Sequence, residues 1–574
     1  MKRIAYPRPE FERDNWVNLN GEWEFRFDFG NSGEQQEFYK SEYFDDTIIV
    51  PFCPESKLSK IGYTDFIGAC WYRKTVNVQK KENERILLNF EAAYYHTVVY
   101  INSVKVGFHD GGYTPFSFDI TDYVNDGENV IIVNCQGDSR NPVQPSGKQS
   151  NKYASYGCSY TRSTGIWQTV WLETVPDTYL LKTFLDPDVS SKTLGVRLYY
   201  PNNNQKCITL TAKLNGETVS TKTVNTTSKF ISTVLDFDCV ETWSIETPTL
   251  YDLYIETKSG DLTDTVKSYF GMRDVTLDKI GLRINDKPVF MRLVLDQGYY
   301  PDGIYTAPED DDLLNDIIIS QDIGFNGARL HQKVFERRFL YEADKHGYIV
   351  WGEYPNWGFD ITRDDGLQYY LTEWLESVER DYNHPALIGW CPFNETWDVN
   401  GRQQNDTVLL KIYEETKRFD PKRPVIDTSG NYHVKTDIYD IHDYQQNTEM
   451  YTERYKKFEG NDVFDNYSKR QSYAGEPYFI SEYGGIKWAD PQEGWGYGNA
   501  PKTLDEYVER FAALTAALLN NDRVCGLCYT QLYDVEQERN GIYYYSRKPK
   551  FDDETIAKLR EAMQGISAYE ENNQ

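Results

Sequence analysis

Two carboxylates in the second half of the chain directly follow apolar runs. Glu395 follows the run ALIGWCPFN, and Glu482 follows YFIS. Two carboxylates at the ends of buried strands can do proton chemistry, because one can donate a proton while the other acts as a base or a nucleophile. Trp390 and Trp397 flank Glu395, and we expect them to form an apolar wall that raises its pKa and keeps it protonated.

After about residue 276, strand-like segments alternate with amphipathic helical stretches, such as DDLLNDIIISQDIG and DEYVERFAALTAALLNNDR. Eight strands in about 300 residues predict a (β/α)8 TIM barrel over 276–574. The connection between the fifth and sixth strands is too short for a full helix, so one unit is either irregular or miscounted. The strand candidates are VFMRLVLD (289–296), FNGARLH (325–331), YIVWGEY (348–354), LIGWCPFNE (387–395), PVIDTSG (424–430), IYDIHDY (438–444), YFISEYGG (478–485) and VCGLCYTQ (524–531).

Active sites of this fold lie at the carboxyl ends of the strands. Glu395 ends the fourth strand and Glu482 the seventh, so the two should face each other across the barrel mouth. Such a pair, without clustered metal ligands, favours glycoside hydrolysis. The chain has only seven His, and none lies in a cluster at metal-ligand spacing. We therefore expect no metal and no cofactor.

The first 275 residues consist of short alternating segments separated by turns, such as GEWEFRFDF and LYDLYIETKSG. This period-two pattern predicts antiparallel β-sandwiches, one over 1–178 and an immunoglobulin-like one over 179–275. The predicted fold is therefore a multidomain β and α/β protein with three domains.

Several motifs resemble glycoside hydrolase family 2, in order along nearly the whole chain. RDYNHPALIGWCPFNE (380–395) resembles the family's acid/base signature, and FISEYGG (479–485) resembles its nucleophile strand. WVNLNGEWEF, VGFHDGGYTPFSFDIT and TGIWQTVWLE are similar to its amino-terminal, jelly-roll-like sugar-binding sandwich, and SYFGMRDV resembles its junction into the barrel.

The resemblance implies a retaining double displacement, with Glu482 as nucleophile and Glu395 as general acid and then general base. Asn394 matches the Asn that binds the sugar 2-hydroxyl, and Tyr444 matches the Tyr that orients the nucleophile. The family's second-strand motif reads Arg-x-Ser-His-Tyr-Pro, whereas this chain has RLHQKV (329–334), which shifts His331 by one position. A substrate contact and a packing role both stay open for His331. The substrate-binding residues expected at the mouth are Asn394, Tyr444, Arg329, His331, Asp296, Trp397, Tyr529, Arg337, Lys333 and His442.

The sequence leaves the identity of the glycone open. Family members cleave β-galactosides, β-glucuronides and β-mannosides, and glucuronidases carry an Asn-x-Lys motif that holds the sugar carboxylate. Glu538, Arg539 and Asn540 replace that motif here, and a Glu would repel a uronic acid. Lys333 and Arg337 follow the second strand, where they could bind the carboxylate of a uronic acid through charge-assisted hydrogen bonds, so a uronide stays an alternative. β-Galactosidase and β-galacturonidase thus rank together, ahead of glucuronide, mannoside, arabinoside and fucoside cleavage and of a non-catalytic carbohydrate-binding protein.

Composition limits the partners and the compartment. The net charge of −28 argues against nucleic-acid binding, which needs a basic surface. No apolar stretch approaches the length of a membrane span, and the basic start MKR lacks the apolar run of a signal peptide. We expect a cytoplasmic protein, or one from which a leader was removed, with nine reduced cysteines. A carbohydrate or glycoconjugate is the expected partner, and a homo-oligomer the expected assembly.

Overall fold

The computed structural model describes residues 3–456, 458, 460, 462–489 and 493–573. An antiparallel sandwich comes first, with sheets of four and six strands and a two-stranded ribbon. Its strands are β1 (Trp16–Asn18), β2 (Gly21–Phe27), β3 (Asp46–Val50), β4 (Ala69–Val78), β5 (Glu84–Phe90), β6 (Ala93–Tyr94), β7 (His96–Ile101), β8 (Val104–Asp110), β9 (Phe116–Asp119), β10 (Gly127–Gln136), β11 (Gly165–Ile166) and β12 (Val170–Pro176). Three 3-10 turns occur at Pro9–Phe11, Phe38–Lys40 and Lys57–Ser59.

A second sandwich packs a three-stranded sheet against a four-stranded one, the strand count of an immunoglobulin constant-type domain. Buried and exposed residues alternate along its strands, as in Tyr251–Ser259, because one face of each sheet meets the core. Its strands are β13 (Lys182–Asp188), β14 (Thr193–Tyr199), β15 (Lys206–Leu214), β16 (Glu217–Thr226), β17 (Phe230–Asp236), β18 (Tyr251–Ser259) and β19 (Leu262–Phe270). A small sheet of β20 (Val275–Leu277), β21 (Leu282–Ile284) and β22 (Lys287–Pro288) leads into the last domain.

The last domain is a parallel barrel surrounded by helices, as the sequence predicts. Its strands are β23 (Met291–Asp296), β24 (Gly327–Leu330), β25 (Ile349–Glu353), β26 (Leu387–Cys391), β27 (Phe393–Asn394), β28 (Thr428–Ser429), β29 (Tyr439–Asp443), β30 (Tyr478–Gly484) and β31 (Val524–Thr530). Its helices are α1 (Asp311–Ile323), α2 (Arg337–His346), α3 (Leu367–Asp381), α4 (Asp406–Phe419), α5 (Thr448–Tyr455), α6 (Leu504–Leu519), α7 (Asp553–Met563) and α8 (Ala568–Asn573).

The barrel strands run in the order β26-β25-β24-β23-β31-β30-β29, and the β27–β28 pair continues the circle. The fifth strand is the irregular one: β28 has two residues, and no helix lies between it and β29 in the described chain. Strands β30 and β31 are buried throughout, because a parallel sheet has the barrel interior on one face and helices on the other.

The helix ends follow from local sequence. The side chains of Thr503, Asn405 and Asp552 cap the amino ends of α6, α4 and α7 by accepting from backbone N–H groups. Gly324 and Gly347 end α1 and α2 in the left-handed conformation that glycine adopts without strain. Among the described helices, none is both long and apolar enough to cross a bilayer.

The first sandwich packs directly against the barrel, and one hydrophobic core runs through both. Trp167 and Tyr113 of the sandwich contact Tyr305 of the barrel, with ring centroids 5.1 and 6.4 Å apart. This shared core brings a sandwich loop to the carboxyl ends of the barrel strands.

Candidate active site

Glu482 stands near the end of β30, and its side chain points into the barrel mouth. It is 4% exposed. One carboxylate oxygen accepts from Arg329 Nη1 at 3.1 Å, and the other accepts from the Tyr444 hydroxyl. Burial raises the pKa of Glu482, but the positive charges of His442, His331 and Arg329 outweigh burial and hold the pKa below its ordinary value. The structure therefore holds Glu482 as an ionised carboxylate.

Arg329, at the end of β24, links Glu482 to the neighbouring strands. It is 1% exposed, and it donates to Glu353 Oε1 at 2.5 Å and to Asn394 Oδ1 at 2.8 Å. Because Arg329 can only donate, the Asn394 amide oxygen must face it. The Asn394 Nδ2 makes no hydrogen bond within the described part of the chain and is therefore available to donate to a ligand.

Glu395 lies where the chain leaves β27 for a loop. Its φ of 49° lies in the left-handed region, which non-glycine residues seldom adopt and which is common at functional sites. Its backbone N–H donates to the Ser429 carbonyl at 2.9 Å, which fixes the turn. Glu395, Glu482 and His442 each present an atom within 4.8 Å of the others, so the two carboxylates face each other across the mouth.

His442, near the end of β29, lies between the two carboxylates. Its Nδ1 is 2.8 Å from Glu395 Oε1 and 3.3 Å from Glu482 Oε2. Its Nε2 is 3.1 Å from Ser429 Oγ, which donates to Asp440. Burial lowers the pKa of His442, but the two carboxylates outweigh burial and raise it. Both carboxylates therefore stabilise the protonated form of His442.

The expected apolar wall around Glu395 is therefore wrong. Burial raises the pKa of Glu395, but the hydrogen bond and charge of His442, with Lys148, lower it to about 2. Trp390 faces away from the mouth, where its Nε1 donates to Asp420 and its ring meets Trp374. Trp397 does lie beside Glu395, but it is 43% exposed.

His331 lies in the site despite its shifted position in the motif. Its Nδ1 is 3.1 Å from Glu353 Oε2 and 4.0 Å from Glu482 Oε1. Burial and the charge of Lys148 lower its pKa, although Glu353 opposes them. His331 supports Glu353 and borders the nucleophile position.

Tyr444 is held by a second tyrosine that the sequence reasoning missed. The rings of Tyr444 and Tyr497 stack with centroids 3.4 Å apart and planes 4° apart. The hydroxyl of Tyr444 also lies 3.0 Å from Thr530 Oγ1. The stack fixes the ring that donates to Glu482, but no sequence signal linked Tyr497 to the residue that follows β29.

The two cations expected to clasp a sugar carboxylate are used elsewhere, which corrects that expectation. Arg337 pairs with Glu10 and lies 3.3 Å from Glu91, both in the first 178 residues. Lys333 is 3% exposed, and its Nζ donates to the carbonyls of Gly298 and Tyr305. Burial lowers the pKa of Lys333 to about 8. Both side chains hold the structure around the mouth together and do not face it.

Two further predicted contacts do not reach the carboxylate pair. Tyr529 points to the outer face of β31, where it contacts Phe511 of α6 and Tyr507. Asp296 ends β23, but its Oδ1 accepts from the Gly298 N–H and the Tyr533 hydroxyl. Burial, together with a nearby Asp, raises the pKa of Asp296 to about 6. Tyr529 as a substrate contact is wrong, and Asp296 supports the loop after β23.

Lys148, from the first sandwich, is a site residue that the sequence reasoning missed. The backbone of its loop is anchored on the barrel, since the Ser146 and Gly147 N–H groups donate to the Trp357 carbonyl at 2.7 and 2.9 Å. Lys148 is 5% exposed, and its Nζ lies 4.0 Å from the Trp357 ring. Within the described residues this ammonium has no hydrogen bond or ion pair. The Pro, Ser and Gly around it predict a loop but not where the loop docks.

Glu538 lies beside Lys148 on the barrel side of the mouth. It is 2% exposed and accepts from the Tyr160 hydroxyl at 2.6 Å and from Asn540 Nδ2 at 3.1 Å. Burial raises the pKa of Glu538, and the charge of Lys148 opposes that rise. Lys148 and Glu538 thus interact electrostatically while neither makes a direct ion pair in the described structure.

The structure also brings together a possible set of metal ligands, which the sequence did not reveal. Glu395, which follows β27, His442 of β29 and Glu482 of β30 could together hold an ion with two carboxylates and one imidazole. Their charges are already compensated by hydrogen bonds among themselves and with Arg329 and Tyr444. A larger cavity, of about 680 Å³, lies beside Arg273 at the junction with the second sandwich and contains none of these groups.

Comparisons with known proteins match each domain. Residues 16–176 match the sugar binding domain of glycosyl hydrolases family 2, 177–273 match glycosyl hydrolases family 2, and 275–506 match its TIM barrel domain. The beta-galactosidase of Thermoanaerobacterium thermosulfurigenes is 23% identical over 571 residues, covering 93% of this chain and 74% of that enzyme. The beta-glucuronidase of Felis catus is 24% identical over 477 residues, covering 75% of this chain and 71% of that enzyme.

A solved structure of similar fold is the beta-glucuronidase of Bifidobacterium dentium complexed with coumarin-3-O-glucuronide. It superposes with a TM-score of 0.80 at 18% identity and covers 99% of both chains. The family matches, in the same order as the three structural domains, account for 16–506 almost without a gap. The chain therefore belongs to family 2 of the glycosyl hydrolases and is an O-glycosyl hydrolase.

Proposed function

We propose that the protein is a retaining exo-β-glycosidase that removes a terminal, galacto-configured sugar. The observation that carries the proposal is the facing pair of Glu395 and Glu482, whose nearest ligand atoms lie within 4.8 Å. Retaining enzymes hold their two carboxyl groups about 5–5.5 Å apart, too close for a water to attack from the far side of the sugar. Glu482 then attacks the sugar itself.

In the first step, Glu482 attacks the anomeric carbon while the bond to the leaving oxygen breaks and Glu395 protonates that oxygen. The free enzyme keeps the proton for this step on His442, which is bonded to Glu395. When Glu482 bonds to the anomeric carbon, it loses its negative charge. That charge raises the pKa of His442 more than any other interaction does. The His442 proton is then released toward Glu395, so the two residues act as one proton-holding pair.

In the second step, Glu395 takes a proton from water, and the water oxygen displaces Glu482 from the anomeric carbon. Throughout, Arg329 and Tyr444 keep the nucleophile ionised and oriented. The free Nδ2 of Asn394 is suited to bind the sugar 2-hydroxyl, a contact that strengthens in oxocarbenium-like transition states.

A β-galactoside is the first substrate that we propose. A hydroxyl group can accept from the Lys148 ammonium and also donate to the Glu538 carboxylate, whereas a uronate can only accept. A uronate near Glu538 would also bring two like charges together. The beta-galactosidase of Thermoanaerobacterium thermosulfurigenes is a relative across most of the chain.

A β-uronide, as a galacturonide or a glucuronide, is the second candidate. The observation in its favour is Lys148, a buried ammonium without an ion pair in the described structure that could hold a sugar carboxylate. Relatives named beta-glucuronidase support the uronide as strongly as the relative named beta-galactosidase supports the galactoside. It requires that Glu538, whose pKa burial raises, be protonated when the substrate binds.

A panel of aryl β-glycosides tests the proposal: galactoside, galacturonide, glucuronide, mannoside, arabinoside and fucoside, with NMR detection of the anomer first released. We expect the highest kcat/KM for the galactoside and a β-configured first product. Release of the α-anomer would refute retention, and a higher kcat/KM for either uronide would replace the galactoside by the second candidate.

A further inference from the structure

A cavity of about 390 Å³ lies next to Glu395 and outside the group of charged residues that surrounds Glu482. The barrel forms most of its wall, and the sandwich loop at 156–159 forms the rest. This loop is held in place from the barrel, because Trp495 Nε1 and Gln537 Nε2 both donate to the Gly157 carbonyl at 2.7 Å. The cavity therefore exists only where the two domains meet.

The wall of this cavity is mostly carbon. Trp397 and Tyr156 are 43% and 37% exposed, so large parts of their surfaces are free to contact a ligand. A tryptophan, two phenylalanines and two aliphatic side chains complete the apolar surface: Trp357, Phe359, Phe393, Ile361 and Val399. At about 390 Å³ the cavity falls within the range of small-molecule sites, roughly 300–1,000 Å³.

Most polar groups of the wall already have partners. Asn356 uses its amide for Asn394 and Gln332, and Trp357 Nε1 donates to the Asn394 carbonyl. Thr396 Oγ1 donates to Gln404. A second sugar would bring several hydroxyl groups that need new partners, and leaving them unpaired costs free energy. A flat apolar group loses nothing there and gains contact with the aromatic rings.

The position of Glu395 identifies which part of a substrate enters the cavity. The residue that protonates the leaving oxygen must lie next to that oxygen, so the group beyond the oxygen occupies the space next to Glu395. Neither Glu482 nor Arg329 lines the cavity. The cavity is thus on the leaving-group side of the bond that breaks, provided that the proposed roles of Glu395 and Glu482 hold.

We propose that this cavity is the aglycone-binding site and that it takes a flat, aromatic aglycone rather than a second sugar. The natural substrates are then β-glycosides of phenolic or other fused-ring compounds. Trp397 and Tyr156 are specificity-determining residues for the aglycone, and the glycone is bound separately by the charged residues around Glu482.

Three substrates of one glycone test this proposal: a bicyclic aryl glycoside, a disaccharide, and the glycosyl fluoride, which has no aglycone to fill the cavity. We expect a higher kcat/KM for the bicyclic glycoside than for the disaccharide. Trp397→Ala should lower the ratio of kcat/KM for the bicyclic glycoside to that for the fluoride by about 3- to 10-fold, as expected for one lost aromatic contact. Tyr156→Ala should lower the same ratio.

Tyr43→Ala, which removes a ring that is 64% exposed on the first sandwich, is the matched control and should leave the ratio unchanged. A disaccharide cleaved as efficiently as the bicyclic glycoside would overturn the proposal, and so would an unchanged ratio in both cavity variants. Failure to hydrolyse the fluoride of every glycone in the panel would instead overturn the glycosidase function on which the proposal rests.

Discussion

His442 Nδ1 lies 2.8 Å from Glu395 Oε1, and this hydrogen bond joins a histidine whose protonated form is stabilised to the carboxylate expected to act as an acid. The pair explains how a Glu395 with a pKa of about 2 can still take part in proton transfer, because the proton is stored one bond away. It also makes the pH dependence of the enzyme a property of two residues.

The fall in rate at high pH, the alkaline limb of the pH–rate profile, should reflect loss of the proton from the His442–Glu395 pair. The pKa of His442 is raised above its ordinary value by Glu482 and Glu395, so His442 keeps its proton to a higher pH than a free histidine does. Activity that needs its proton falls as the pH rises through that raised pKa. In His442→Asn the imidazolium is absent and Glu395 must carry the proton alone. We expect the limb in kcat/KM to move to lower pH. An unchanged limb would exclude His442 as the proton store.

Replacing the two carboxylates should have different consequences. Glu482→Gln removes the nucleophile, so we expect no turnover of any substrate. Glu395→Gln should lower kcat/KM for glycosides with poor leaving groups by about 10²–10⁴-fold, the usual contribution of general acid catalysis. Substrates with activated aryl leaving groups should still form the glycosyl-enzyme, which mass spectrometry detects. Wild-type rates in Glu482→Gln would refute its role as nucleophile.

Tyr444→Phe should reduce catalysis without unfolding the protein. The variant loses one hydrogen bond to the ionised Glu482, and such bonds contribute about 1.5–3 kcal/mol, which corresponds to roughly 10- to 150-fold in rate. We expect the loss in kcat rather than KM, with little change in Tm. Tyr439→Phe removes a hydroxyl that binds Asp465 away from the mouth and serves as the control. Equal effects of the two changes on kcat would argue against a positioning role for Tyr444.

Lys148→Met should identify how the glycone is bound. If Lys148 and Glu538 together bind a sugar hydroxyl, the variant should lose about 10-fold or more in kcat/KM for the galactoside, as for a hydrogen bond to a charged group. Glu538→Gln should raise the ratio of uronide to galactoside cleavage, because it removes the charge that repels a uronate. Lys435→Met, which removes an exposed lysine over the Tyr413 ring, is the matched control. Loss of uronide cleavage alone in Lys148→Met would favour the second candidate.

Metal removal should leave turnover unchanged. Glu395, His442 and Glu482 could ligate an ion, but a metal at this position would have to displace His442 from both carboxylates. We expect equal kcat before and after treatment with a chelator. A loss that Zn²⁺ or Mg²⁺ restores would contradict the proposed double displacement, in which no ion takes part.

The barrel and its catalytic strands could be predicted from the amino-acid sequence alone. Apolar runs that end in a polar residue mark parallel strands, since both faces of such strands are buried and their carboxyl ends meet at one mouth. This rule placed Arg329, Asn394, Glu395, His442, Tyr444 and Glu482 at the mouth, where the structure brings them together.

Which side chains of these strands face the barrel interior could not be predicted without the folded structure. Strand β31 is buried along its whole length, so its sequence has no alternation to show that Tyr529 points outward. Register shifts at Ile441/His442 and between Ile480 and Tyr483 also interrupt the alternation of inward and outward side chains along these strands. Likewise, Arg337 faces Glu10 rather than the mouth because another domain packs there.

The tertiary structure also decided what surrounds the carboxylates. Lys148 enters from the first sandwich, and Trp390 turns out of the barrel, so the charge near Glu395 comes from His442 and Lys148 rather than from an apolar wall. A local sequence pattern predicts which residues of one strand are buried and at which residue the strand ends. It does not predict which distant loop packs over that strand. This packing contributes to the low pKa of Glu395 and to the shape of the cavity beside it.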